Sequence, residues 1–387
     1  MIGFQSVTAA TISGAFVFGM VLVLLESIQL LLAKRLALSE DRVEWLLSAI
    51  NLSLIPMMLL SGILIDKWDV KPVLIFGSLI TAAAVASLAA SQTVGRALGS
   101  ILLLGLGGAC LSTSSSVLML TAFYPENAAA AQNFGNVFFA LGALVSPIIA
   151  QRLLQQFEYR RGLVLISVVC LMPALLAALT TFPPHPANSA NPWAVFGRPL
   201  LWLAAITFLF YGPLEGSLST WATRYLHDLG FPALRAQRIL IGFWLAFLTS
   251  RLLAATFAYH ALNRDVAQGW FVVLLALAAA VALGNMAGAR KSFSAAAGLV
   301  LVGLFFGPIF PTLVGILFEQ FQSTQGTAYG AMFALGSFGN LLLPPLIGAY
   351  ARRTTVQRAM RIPMILALIV ALAAFVLTLY LPLSRQA

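Results

Sequence analysis

Two carboxylates lie in runs of apolar residues where ionisable groups are rare. Glu215 falls within YGPLEGSLSTW (211–221), with LLWLAAITFLF before it and ATRYL after it. Glu26 sits in an earlier apolar run, one helical turn from Gln29 (29 − 26 = 3), with Ser27 beside it. A carboxylate at bilayer depth costs at least about 2.5 kcal/mol even on lenient insertion scales, so each reads as a group that exchanges protons or pairs with a cation. Arg251 in FWLAFLTSRLLAA (243–255) is either a partner for such a carboxylate or a residue reaching for the nearer interface. Ser112, Thr113, Ser114, Ser115 and Ser116 are five consecutive hydroxyls. Some are expected only to bond back to their own helix, and one or two to line a polar cavity. Tyr211, Trp221, Tyr329 and Phe333 offer either aromatic faces to a sugar ring or plain packing. HExxH, a Cys/His cluster and a phosphate-binding glycine loop are all missing from the sequence, so no metal, no cofactor and no enzymatic activity are expected.

The elements that must position these residues are membrane helices. The 387 residues are 60% hydrophobic and only 9% charged, whereas soluble domains carry about 25% charged residues. Apolar runs mark spans at 8–33, 44–65, 72–91, 97–122, 131–153, 162–182, 199–223, 236–258, 267–287, 293–317, 327–350 and 362–382, each near the roughly 20 residues that a bilayer requires. Runs this continuous exclude a β-barrel. The first span is too long, and lacks the basic start, for a cleaved signal peptide. Cys110 and Cys170 lie inside spans and read as small buried hydrophobes.

Residues 183–199, with five prolines, form a linker between a six-helix bundle at 1–182 and another at 200–387. The halves echo each other. Glu26 and Glu215 lie in their first helices, and GALVSPIIA (142–150) recurs as GNLLLPPLIGA (339–349). Gly212, Pro213 and Gly216 are expected to interrupt the helix around Glu215, as at the midplane site of a carrier built from two rocking repeats.

The loop SGILIDKWDVKP (61–72), with Gly62, Leu64, Asp66, Lys67 and Lys71, resembles the signature of the major facilitator superfamily, with Asp69 in place of one usual glycine. GLGGACLSTSSSVLML (105–120) and YPENAAAAQNFGNVFFALG (124–142) are similar to the fucose permease branch, as are 243–255, 303–320 and 329–348. The resemblance implies an all-α membrane protein of twelve helices in two pseudo-symmetric bundles. It further implies that Glu26 stands near a proton-coupling acid, that Ser112 replaces a second acid, and that Asn136 is a polar site residue. The proton role then passes to Glu215. In that family the 62–71 loop latches the outward-open state, and Lys67 and Lys71 are expected to ring Asp66. With helices 1, 4, 5, 7, 10 and 11 converging, the expected site is Glu26, Gln29, Ser112, Ser116, Asn136, Tyr211, Glu215 and Asn340.

Three functions fit. The first is proton-coupled uptake of a sugar or similar small polar solute by alternating access. The second is export or antiport of an organic anion or drug-like molecule, against which the lack of a Gly-Pro pair in 142–151 argues. The third is a transport-inactive membrane partner or receptor. The expected partners are a small-molecule substrate, protons or Na+, and lipids, with no nucleic acid, in a monomeric chain of the bacterial inner membrane. Charge conflicts with the superfamily's inward N-terminus. That orientation puts five basic residues (Lys67, Lys71, Arg198, Arg264, Arg385) inside and sixteen outside, the reverse of the positive-inside bias.

Overall fold

The computed structural model describes residues 2–182, 191–262, 264–289 and 292–384. In chain order the helices are α1 (Ile2–Leu36), α2 (Glu40–Ser48), α3 (Ile50–Lys67), α4 (Val70–Ala90), α5 (Val94–Ala122), α6 (Ala128–Gln156), α7 (Tyr159–Val169) and α8 (Met172–Ala178). After a 3-10 turn at Pro192–Gly197 come α9 (Pro199–Asp228), α10 (Ala233–Ala261), α11 (Asp265–Ala287), α12 (Ser292–Phe306), α13 (Ile309–Gln320), α14 (Gln325–Arg353), α15 (Val356–Ala359) and α16 (Arg361–Ser384). Eleven stretches among the described residues are long and apolar enough to cross a membrane, and α14 supplies a twelfth crossing. Most of the linker, 183–190, lies outside the described residues.

Two of the expected spans are broken, and proline is at both breaks. In the sixth, Pro173 follows the start of α8, where it suits the first turn of a new helix but cannot continue an old one. Ser78 of α4 fills the gap: its hydroxyl donates to the Cys170 carbonyl at 2.6 Å and accepts from the Ala174 N–H at 3.1 Å. In the tenth, the helix stops after Phe306 and restarts at Ile309, across Gly307 and Pro308. The interruption expected in the seventh span does not occur. The α9 helix runs through Gly212, Pro213 and Gly216, because a single proline can be absorbed where neighbouring helices accommodate the freed backbone groups.

The chain forms two compact units. The first comprises 1–126, 135–195 and 321–331; the second comprises 127–134, 196–320 and 332–387. Thus α6 starts in the second unit and continues in the first, and α14 does the opposite.

In each unit the first long helix crosses another at glycines. In the first unit a Cβ at Gly142 of α6 would overlap the Phe16 carbonyl of α1, and one at Gly19 would overlap the Phe139 carbonyl. In the second, a Cβ at Gly339 of α14 would overlap the Leu209 carbonyl of α9, and Gly212 lies against the Asn340 amide. Backbones meet this closely only where side chains are missing. The crossing also sets the register of the repeat: Gly19 corresponds to Gly212 (212 − 19 = 193) and Phe16 to Leu209 (209 − 16 = 193). Glu26 and Glu215 differ by 189, so they are not equivalent positions; Glu215 lies about one turn earlier on its helix.

Candidate functional site: a buried arginine at a broken helix

In the second unit the polar residues gather around the break between α12 and α13. Pro311 has no N–H to offer the Gly307 carbonyl four residues back, so that acceptor must find a partner elsewhere. Arg251 supplies it, its Nε donating to the Gly307 oxygen at 3.0 Å. One residue earlier, the Tyr211 hydroxyl donates to the Phe306 carbonyl at 2.8 Å. Gly307 makes this approach possible, because a Cβ there would overlap Ser250 and the Phe247 carbonyl of α10. Arg251 is only 2% exposed, so it does not reach for an interface. Its guanidinium lies 4.4 Å from the centre of the Phe247 ring and is hydrogen-bonded to Tyr211.

Glu215, one turn beyond Tyr211 on α9, is the carboxylate that acts on Arg251. Asn340 of α14 sits beside Gly212, one turn back along the same helix. Tyr211 and Arg251 are therefore brought together, with Glu215 one turn along α9 and Asn340 beside Gly212 of the same helix.

The first unit holds the other candidates. Ser112 bonds the Tyr329 hydroxyl at 3.0 Å, and Ser116 bonds it too. Thr113 bonds back to the Ala109 carbonyl at 3.0 Å and accepts from Ser61 at 2.9 Å. The hydroxyls of Ser114 and Ser115 are buried without a hydrogen-bond partner among the described residues. Asn136 is buried near the Met119 sulfur, 3.9 Å away. Glu26 is exposed and Gln29 half-buried, on the face of α1 turned away from this unit's core. Tyr211 and Tyr329 are 1% and 2% exposed with hydroxyls engaged by protein, so neither is a platform for a ring. Phe333 instead packs against Phe208 at 5.2 Å.

The Major Facilitator Superfamily model matches residues 7–344. The chain belongs to the major facilitator superfamily. Its product is a transporter and not an enzyme. It is 22% identical over 363 residues to the uncharacterized MFS-type transporter YfkL of Bacillus subtilis strain 168, covering 90% of each chain. Among solved structures it is similar to FucP in the outward conformation, with TM-score 0.77, 19% identity, and 97% of this chain and 99% of that one covered. FucP is the E. coli fucose:proton symporter. The proton:xylose symporter XylE matches with TM-score 0.77 and 13% identity over 96% of this chain and 94% of that one. The human organic anion transporter MFSD10 matches with TM-score 0.71 and 15% identity over 96% and 98%.

The superfamily loop has its own geometry in the first unit. Asp66 ends α3 and caps another helix: one carboxylate oxygen accepts from the Gly326 N–H at 2.9 Å, the other from the Thr327 N–H at 2.7 Å, at the start of α14. An anion there is favoured by the unsatisfied N–H groups and dipole of the helix end. Gly62 faces Gly326, where a Cβ on either would overlap the other's carbonyl region. The lysines do not form the expected ring. Lys71 donates to the Thr180 carbonyl at 2.9 Å beside Phe182, and Lys67 is exposed.

The second unit holds a counterpart that the sequence reading missed. Asn127 donates to the Ala258 and Leu262 carbonyls ending α10, at 2.9 and 3.3 Å, while capping α6 through the Ala130 N–H at 2.9 Å. Gln268 bonds Glu319 at 2.7 Å, and Gln320 bonds Asp265. An asparagine immediately before an alanine run is a helix-start signal, and it was legible.

Proposed function

We propose that this superfamily member is a secondary active transporter that takes up a sugar or similarly polar small solute with protons, by alternating access. The observation that carries this reading is Glu215, a half-buried carboxylate on a membrane helix, one turn from Tyr211, which is hydrogen-bonded to the buried cation of Arg251. Such an arrangement is costly in an apolar bundle and is retained where charge must change during a cycle. FucP and XylE, which share the fold, are named as proton symporters. Hydroxyl and amide groups at Gln29, Ser112, Ser116, Asn136 and Asn340 suit a solute rich in hydrogen bonds. Asp66, with Gly62, acts as the latch by holding the first turn of α14.

Purified protein is first screened by thermal shift against sugars and carboxylates, since a ligand of the folded form raises its stability. The ligand found is then followed into vesicles under an imposed pH gradient. Glu26→Gln and Glu215→Gln are expected to abolish proton-driven accumulation while leaving counterflow exchange. Accumulation that survives in both variants overturns the coupling. Asn136→Ala and Ser112→Ala are expected to weaken binding by about 0.5–1.5 kcal/mol each, the cost of one lost hydrogen bond. Substitution of Cys170, a packing residue, leaves binding unchanged.

A second reading, export of an organic anion, is favoured by Arg251 itself and by the excess of basic over acidic residues, 22 against 12.

A further inference from the structure

The corner where α9 turns into α10 holds two arginines that transport through the helix core does not use. Pro232, Leu234, Arg235, Arg238 and Ile239 line a hollow of about 470 Å³ there. Four of the five are exposed and Ile239 is half-buried, so the hollow is open to the surroundings. Among the described residues no carboxylate or carbonyl engages either guanidinium. Arg235 lies 5.5 Å from the centre of the Phe231 ring, and Arg238 has no such contact. Asp228 is the one acidic residue of the corner, and it is not part of the lining.

Two cations facing one hollow without a carboxylate call for an anion, and the planar fork of arginine matches phosphate oxygens. The other three lining residues are apolar, so a small hydrated ion gains little from them. A ligand that carries hydrocarbon beside its charge uses both.

The helix continues that pattern. Beyond Arg238, the side chains of Ile241, Leu245 and Leu252 are 58%, 54% and 40% exposed. Their steps of three, four and seven residues keep them on one face with Arg238, and Thr249 is the exposed hydroxyl among them. From Ile241 to Leu252 the stripe runs eleven residues, roughly 17 Å. Half of a hydrocarbon core is about 15 Å. Because α10 is apolar and long enough to cross a membrane, the stripe has the reach of one leaflet and the hollow stands at its headgroup level. Trp221 near the end of α9, with Arg224 5.7 Å from its ring, is the kind of aromatic that marks such a level.

We propose that this hollow binds an anionic phospholipid. The phosphodiester sits between Arg235 and Arg238, and an acyl chain lies along the α10 stripe. A phosphatidylglycerol headgroup brings no cation of its own and leaves its charge to the two arginines. An ethanolamine headgroup brings an ammonium, for which the lining holds no carboxylate.

The test titrates the full-length protein in neutral detergent with dioleoylphosphatidylglycerol or dioleoylphosphatidylethanolamine, counting retained lipid by native mass spectrometry. Wild-type protein should bind the glycerol lipid more tightly. Arg235→Gln with Arg238→Gln should weaken that binding about thirtyfold, as expected for two interfacial cations, and leave the ethanolamine lipid unaffected. Arg352→Gln with Arg353→Gln, at the end of α14 and outside the hollow, should change neither. Equal losses in the two double variants overturn the site and leave only a general effect of charge. Equal binding of the two lipids by wild-type protein also overturns it, and that comparison needs no variant to fold.

Two further arms separate the parts of the ligand. Inorganic phosphate at millimolar concentration should not displace the lipid; displacement would assign the hollow to a soluble phosphate and overturn the lipid. Ile241→Ser with Leu245→Ser should weaken the dioleoyl lipid several-fold while sparing its dihexanoyl form. An equal effect on both chain lengths, or none on either, overturns the seat of the acyl chain.

Discussion

Arg251 and Glu215 show how far a single residue type can be read. Both were conspicuous as charges in apolar runs, and their pairing was one of two readings open for the arginine. What fixes the arginine was not apparent. Its Nε partner is a backbone carbonyl freed by a proline four residues later, and such an acceptor is invisible until the two helices are packed. The fates of Tyr211, Tyr329 and Lys71 were hidden for the same reason, since type and spacing do not say whether a ring or an ammonium faces protein or open space. The pairing makes a stability prediction. Arg251→Met strands the buried Gly307 carbonyl and removes the positive charge that the half-buried Glu215 feels, a loss expected at about 1–3 kcal/mol. Adding Glu215→Gln should recover part of that loss, because a neutral amide replaces the stranded carboxylate. Thermal unfolding in detergent measures both. A double variant no more stable than Arg251→Met alone would show that the two side chains do not interact.

At the scale of elements, twelve crossings were legible because apolar runs of bilayer length have few competing explanations. Breaks within them were not, since the extended apolar run continues straight across Gly307 and Pro308. The repeat of GALVSPIIA as GNLLLPPLIGA was legible and has a physical basis: Gly142 and Gly339 each admit the backbone of the first helix of their unit. Helix ends carry two further predictions. Both α1 and α9 close with the N–H of one residue bonded to a carbonyl five back, Leu38 to Ala33 at 3.0 Å and Phe231 to Leu226 at 3.1 Å. That closure needs a left-handed residue, supplied by Gly230 at φ 84° but by Ala37 at φ 52°. Ala37→Gly should therefore stabilise the protein by about 1 kcal/mol, seen as a higher unfolding temperature, and a fall would refute the strain. The other prediction concerns the start of α14. Asp66→Asn keeps the shape but weakens two charge-assisted bonds to the Gly326 and Thr327 N–H groups. Spin labels at residues 67 and 323 should report longer distances, a population shift away from the capped state. An unchanged distance distribution would leave Asp66 a structural role alone.

For the whole molecule, the distribution of charge is the feature that the fold leaves unexplained. The helix order of the structure reproduces the count made from sequence, so no crossing has been miscounted. Within the first unit Lys34, Arg35, Arg96, Arg160 and Arg161 fall at one end of the helices, while Asp66 and its capped helix lie at the other. Insertion guided by basic residues alone would put the first set inside the cell. The superfamily's orientation puts it outside, and carriage of an anion gives that end a use, because a basic mouth speeds the encounter with negative solutes. A membrane-impermeant thiol reagent added to intact cells should therefore label a cysteine placed at Arg96 or Arg161, and not one placed at Lys67. Labelling of Lys67→Cys alone would mean that the chain is inserted the other way up. The same charge makes a kinetic prediction. Arg160→Gln with Arg161→Gln should lower kcat/KM for a carboxylate at low ionic strength and leave kcat unchanged, since steering acts on encounter and not on the central site. The deficit should shrink as salt is raised and the wild-type mouth is screened. A deficit independent of salt would assign those arginines to folding instead.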